Sequence, residues 1–100
     1  MPNIYCISQD VNNGYDTYSH AVVVAESEDE ARAIHPGNES GPGDVFVRRG
    51  VWCYRHVDRT FREYYNTSWS LPADVRVELV GVAGEGLKSG TVLCASFHAG

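Results

Sequence analysis

In Ser19-His20-Ala21-Val22-Val23-Val24-Ala25-Glu26-Ser27-Glu28-Asp29-Glu30-Ala31-Arg32-Ala33-Ile34-His35-Pro36-Gly37, an apolar run gives way within a few residues to an acidic one. The run 21–25 has too little alternation for a half-wet strand, so 19–25 reads as a strand at the centre of a sheet. Ser27 stands three residues before Glu30, the spacing at which a side-chain oxygen caps the first free amides of a helix. Glu28, Asp29 and Glu30 place negative charge at the positive end of the helix dipole. Ala31 and Ile34 offer a narrow apolar face, and Pro36-Gly37 stops the helix after His35. The expected helix therefore covers 27–35.

Working outward, residues 3–8 read as a strand with Ile4 and Cys6 facing one way and Tyr5 and Ile7 the other. The polar stretch 9–17 is a loop whose Asn13-Gly14 step favours positive φ. Residues 36–44 are a glycine-rich loop. Strand composition returns at 45–47 and 51–57. Thr60 and Glu63 repeat the capping spacing, with Phe61, Tyr64 and Tyr65 at helical intervals, so a short second helix over 60–66 is admitted. Residues 75–83 alternate, with Val75, Val77 and Leu79 on one side. Glycines punctuate 84–90, and 91–98 closes the sequence as a strand with Leu93, Ala95 and Phe97 on one face. The expectation is α+β: a single domain with a mostly antiparallel sheet of four to six strands, covered on one face by one main helix.

The chain has 100 residues, with 43% hydrophobic and 21% charged, enough apolar material for one core. A net charge of −5 argues against direct nucleic-acid binding, which needs cationic surface. Three cysteines, Cys6, Cys53 and Cys94, do not make an even disulfide framework. The N-terminal residues lack a basic segment followed by an apolar stretch, and no apolar run approaches the ~20 residues of a membrane span. A cytoplasmic protein without a membrane partner is the expectation.

Several motifs fail on spacing. Cys53 and His56, with Cys94 and His98, have the inventory of a zinc site. On a straight strand, however, Cys94 and His98 lie about 13 Å apart, and Cys53 and His56 point to opposite faces. The same opposition separates a Cys53 nucleophile from a His56 base. The stretch 10–16 resembles a calcium loop, but its glycine comes one residue early and its twelfth position is Ala21. No cofactor and no catalytic residue are expected, and the protein reads as a non-enzyme.

The run Ile7-Ser8-Gln9-Asp10-Val11-Asn12-Asn13-Gly14-Tyr15-Asp16-Thr17-Tyr18, the segment 21–36, and the ending Ser96-Phe97-His98-Ala99-Gly100 together resemble a family of short bacteriophage and bacterial proteins without an assigned activity. The resemblance covers both ends of the chain and carries no catalytic residue. It implies a phage or mobile-element association. Small acidic phage proteins of this size include inhibitors of host enzymes and defences, anti-CRISPR proteins among them.

Charge is unevenly distributed. Residues 1–44 hold eight acidic groups against Arg32 alone. Residues 45–66 carry Arg48, Arg49, Arg55, Arg59 and Arg62, interleaved with aromatics. Of these, Trp52, Tyr54, Tyr64 and Tyr65, with Trp69 just after, are candidate anchors. Arginine and aromatic residues are enriched where interfaces concentrate their energy. Asp10, Asn13, Tyr15 and Asp16 form a second candidate surface on the polar loop. The leading expectation is a binding module that inhibits a host protein, with self-association as an open alternative. The competing readings are a small-ligand or nucleotide sequestrant, using guanidinium for phosphate, and a small cysteine/histidine enzyme.

Overall fold

A computed structural model describes residues 2–12, 14, 16–38, 45–55, 61–63 and 69–98. The element order is β1 (Asn3–Ser8), β2 (Thr17–Ala25), α1 (Glu28–Arg32), β3 (Val45–Arg48), β4 (Val51–Arg55), β5 (Phe61–Glu63), β6 (Arg76–Val82) and β7 (Val92–His98). Short 3-10 turns occupy Pro36–Asn38 and Pro72–Asp74. The strands form two antiparallel sheets, one ordered β6-β1-β2-β7 and the other β3-β4-β5. The mostly antiparallel reading holds, but the sheet is divided and the helix is minor.

β2 is central, as its composition requires. Ala21, Val23, Val24 and Ala25 are all buried. Pairing sets Tyr5 against Val23 and Ile7 against Ala21, so both strands send these residues into one core. Val92 and Ala95 join from β7 and Val77 from β6. Covering this face are Ala31 and Ile34 from the helical segment, Trp52 with Val45 and Val47 from the second sheet, and Trp69 and Val75.

α1 has five residues, against the nine of the expected 27–35 helix. Ser27 caps it as its spacing predicts, its Oγ accepting from the Glu30 amide at 3.2 Å. The last turn tightens: Ala33 N–H donates to Glu30 O and Ile34 N–H to Ala31 O, both at 3.1 Å. Residue 35 precedes a proline, which disfavours helical backbone there, and both Ile34 and His35 turn inward and are buried. Burial of these two side chains therefore takes the chain out of the helix a turn early.

The second helix is also corrected. Phe61–Glu63 is a strand, pairing Arg55 with Phe61, Tyr54 with Arg62 and Cys53 with Glu63. The free edge of β4 satisfies these backbone groups, which so short a helix could not do internally. Residues 60 and 64–66 lie outside the described residues.

Two further expectations shift by local irregularity. On β7 the inward residues are Val92 and Ala95, because the register breaks opposite Val22 and Val23 and leaves Leu93 40% exposed. In the 9–17 loop the positive φ described is at Asp16 (58°). Between β3 and β4, Arg49 (φ 56°) and Gly50 (φ 77°) are both left-handed, as a type I′ hairpin demands.

Candidate interaction surface

The polar loop after β1 is built around one side chain. Gln9, 6% exposed, accepts at Oε1 from the amides of Val11 and Asn12, both at 2.8 Å. Its Nε2 donates to Asn12 O at 2.6 Å and Tyr18 O at 2.8 Å. A buried amide with both ends satisfied is stabilising where an unsatisfied one would be costly. Asn12 then donates from Nδ2 to Trp69 O at 2.6 Å, fastening the loop to the segment before β6. Asp10 Oδ2 meets Arg76 Nη2 at 3.0 Å on the surface. Composition marked this loop as polar; which side chain organises it required the fold.

Next to it lies a buried aromatic cluster. The His35 ring stands edge-on to Trp52, centroids 5.1 Å apart, and edge-on to Tyr18 at 6.3 Å. Its Nδ1 accepts from the Gly37 amide at 2.9 Å, which makes this nitrogen the unprotonated one. Burial lowers the His35 pKa to about 4, so the ring is neutral in ordinary buffers. Trp52 Nε1 donates to Ser70 O at 2.8 Å.

Of the predicted arginine–aromatic surface, the two tryptophans belong to the core. Trp52 is 2% exposed and Trp69 fully buried. A buried tryptophan removes on the order of 200 Å² from water, about 5 kcal/mol of transfer free energy. Neither side chain is available to a partner while the core is intact, so both are corrected from anchors to core. Arg48 and Arg49 are exposed at the β3–β4 hairpin. Tyr54, Arg55 and Arg62 are described as strand positions only. In that sheet Arg48 pairs with Val51, Tyr54 with Arg62 and Arg55 with Phe61. Arg59, Tyr64, Tyr65, Asn13 and Tyr15 lie outside the described residues, and Asp10 and Asp16 are exposed.

The cysteines are separated. Cys6 and Cys94 flank Val22 on the open face of the first sheet, and Cys53 is buried in the second. Burial, then Glu78, then Cys94 push the Cys6 thiol up, away from the thiolate that a nucleophile requires. Cys94 pairs with Val22 and His98 with Thr17, near opposite ends of β7. His56 lies outside the described residues.

A different exposed surface lies on β6. It is an edge strand, hydrogen-bonded to β1 on one side only among the described residues. Leu79, Val80 and Val82 are 58%, 61% and 66% exposed. A register shift opposite Ile4 and Tyr5 leaves Val80 without a paired residue, so that Leu79 and Val82 fall on the same face. Three large apolar side chains beside unpaired backbone amides and carbonyls form a template for another strand. In sequence this segment looked like an ordinary alternating strand; only its edge position exposes it. No described helix is long and apolar enough to cross a membrane. Comparison with family models, with curated proteins and with solved structures finds no match for this chain.

Proposed function

We propose that this chain is a non-enzymatic binding module of the phage accessory type, which occupies a surface of a host protein and so inhibits it. The resemblance to short phage proteins motivates the host partner, and the anti-CRISPR-like role rests on that class alone. The observation that carries the binding reading is the exposure of Leu79, Val80 and Val82 on a strand whose outer edge has no partner among the described residues. Natural proteins usually blunt such edges with charge, proline, a bulge or a covering element, and β6, with Arg76, Glu78 and the irregularity at Val80, still keeps three exposed apolar side chains. A residual apolar edge is therefore a docking feature.

The test compares capture from host lysate by tagged wild-type protein, by Val80→Lys, and by Arg48→Glu/Arg49→Glu. Loss of the captured protein with Val80→Lys, and its retention with the arginine pair, supports docking through β6. The reverse pattern returns the site to the hairpin arginines. Val80 is largely exposed, so its replacement leaves the core untouched.

A further inference from the structure

The first sheet has a second outer strand. β7 pairs with β2 and, among the described residues, with no strand beyond it. Along it Leu93 and Phe97 are 40% and 48% exposed, and Cys94 is exposed as well. Val92–His98 contains no aspartate, glutamate, lysine or arginine. The other outer strands carry Arg48 on β3, Arg62 and Glu63 on β5, and Arg76 and Glu78 on β6. Which backbone groups β7 turns outward follows from β2. Val24 N–H donates to Thr91 O at 2.9 Å, and Val24 O accepts from Gly90 N–H at 2.8 Å. Alternation along β2 turns the groups of Val22 the same way, toward Cys94, with which it pairs. On β7 the groups of Ala95, one residue further on, therefore point away from β2.

We infer that a second copy of this chain pairs with β7, antiparallel and about a two-fold axis at Ala95. That residue is the middle of the strand, so the whole of Val92–His98 overlaps in the two copies. Ala95 meets the second copy's Ala95 in a hydrogen-bonded pair, as the direction of its backbone groups requires. Leu93 meets the second copy's Phe97, and Phe97 its Leu93, so the large exposed apolar side chains of the strand cover one another. Cys94 meets Ser96, and Val92 meets His98. A chain of net charge −5 repels its own copy, and β7 is the described outer strand on which pairing brings no carboxylate, lysine or arginine together. The contact is self-complementary and closed. The joined sheet runs β6-β1-β2-β7-β7-β2-β1-β6, with both β6 edges still at its ends. The inference therefore goes beyond the docking reading above and stands without it.

Sedimentation of the full chain over a range of concentrations is expected to show a monomer in exchange with a dimer and nothing larger. Leu93→Lys sets a charge opposite the second copy's Phe97 and is expected to raise the dimer dissociation constant by about tenfold or more. Val80→Lys is expected to leave it unchanged, and circular dichroism confirms that each variant is folded. Ser96→Cys sets a thiol opposite the second copy's Cys94 in a non-hydrogen-bonded pair, with Cα atoms about 4.5 Å apart and within reach of a disulfide. Oxidised with diamide, that variant is expected to run as a covalent dimer on a non-reducing gel, well above the yield from the native chain. A monomer at every concentration overturns the inference. So do a dimer indifferent to Leu93→Lys, a dimer that Val80→Lys dissolves, a series of growing oligomers, and no gain of covalent dimer with Ser96→Cys. If Leu93→Lys fails to fold, the Ser96→Cys crosslink decides. Lysate capture that depends on Val80 is a separate reading, so the dimer can fail while docking through β6 stands.

Discussion

The His35 ring meets the Trp52 ring at 88° with centroids 5.1 Å apart, and this contact joins the end of the helical segment to the second sheet. Trp52 is tied in turn to Ser70, and Asn12 ties the first loop to Trp69, so separate parts of the chain converge on one buried cluster. The stability of the molecule should be most sensitive here.

The pH dependence follows from the sign of the His35 shift. Its folded pKa, about 4, lies below the ordinary imidazole value of 6.5 because the ring is buried. Folding therefore favours the neutral ring. The stabilisation is complete above pH 6.5 and is lost progressively as the pH falls from there to about 4. At that limit the loss is on the order of 3 kcal/mol. Urea denaturation at pH 7 and pH 4.5 should show a smaller difference for His35→Gln than for the native chain. Equal differences would mean that carboxylates alone set the acid response.

The two tryptophans should respond differently to loss of the indole nitrogen. Trp52 Nε1 is bonded to Ser70 O, whereas the buried Trp69 Nε1 has no hydrogen-bond partner among the described residues. Trp52→Phe removes both volume and a bond and leaves a carbonyl to satisfy, so it should cost about 1–3 kcal/mol more than Trp69→Phe. Chemical denaturation of the two variants checks the order.

Gln9→Glu should destabilise the chain although the shape is nearly kept. The amide's Nε2 donates to two carbonyls, and a carboxylate in its place would face them with oxygen. The expected loss is about 2–4 kcal/mol, together with faster hydrogen exchange at Val11 and Asn12.

Thiol reactivity should rank by exposure. Cys94 is exposed, Cys6 is half-buried with its pKa raised, and Cys53 is buried. Iodoacetamide followed by mass spectrometry should label Cys94 first, Cys6 slowly, and Cys53 only on unfolding. Rapid labelling of Cys53 in the folded chain would revive the thiol-enzyme reading.

At the hairpin, Gly50 has φ 77° and open space around a would-be Cβ. Gly50→Ala should therefore cost only backbone strain, about 1–2 kcal/mol, measurable as a lower denaturation midpoint.

Local chemistry was legible before the fold was seen. The apolar run 21–25, the Ser27 cap and the Pro36 stop depend on neighbours in sequence, and β2 and the start of α1 follow them. The alternation in β1 likewise identified Tyr5 and Ile7 as a pair sharing one face. These signals act over a few residues, where backbone hydrogen bonds and side-chain direction are set.

What lies beyond that range was decided by tertiary contacts. Composition around 45–69 could not tell an arginine–aromatic surface from a core, because a tryptophan suits either place equally well. Packing against His35 within the core cluster buried Trp52. Nor could it show that 61–63 pairs with β4, since strand pairing is made by a neighbour distant in sequence. The standing of β6 is the same kind of fact. Leu79 alternates with Val75 and Val77 as a core residue would, yet it is exposed, and among the described residues no strand lies beyond β6 in the sheet order, a property of topology rather than of the residues themselves.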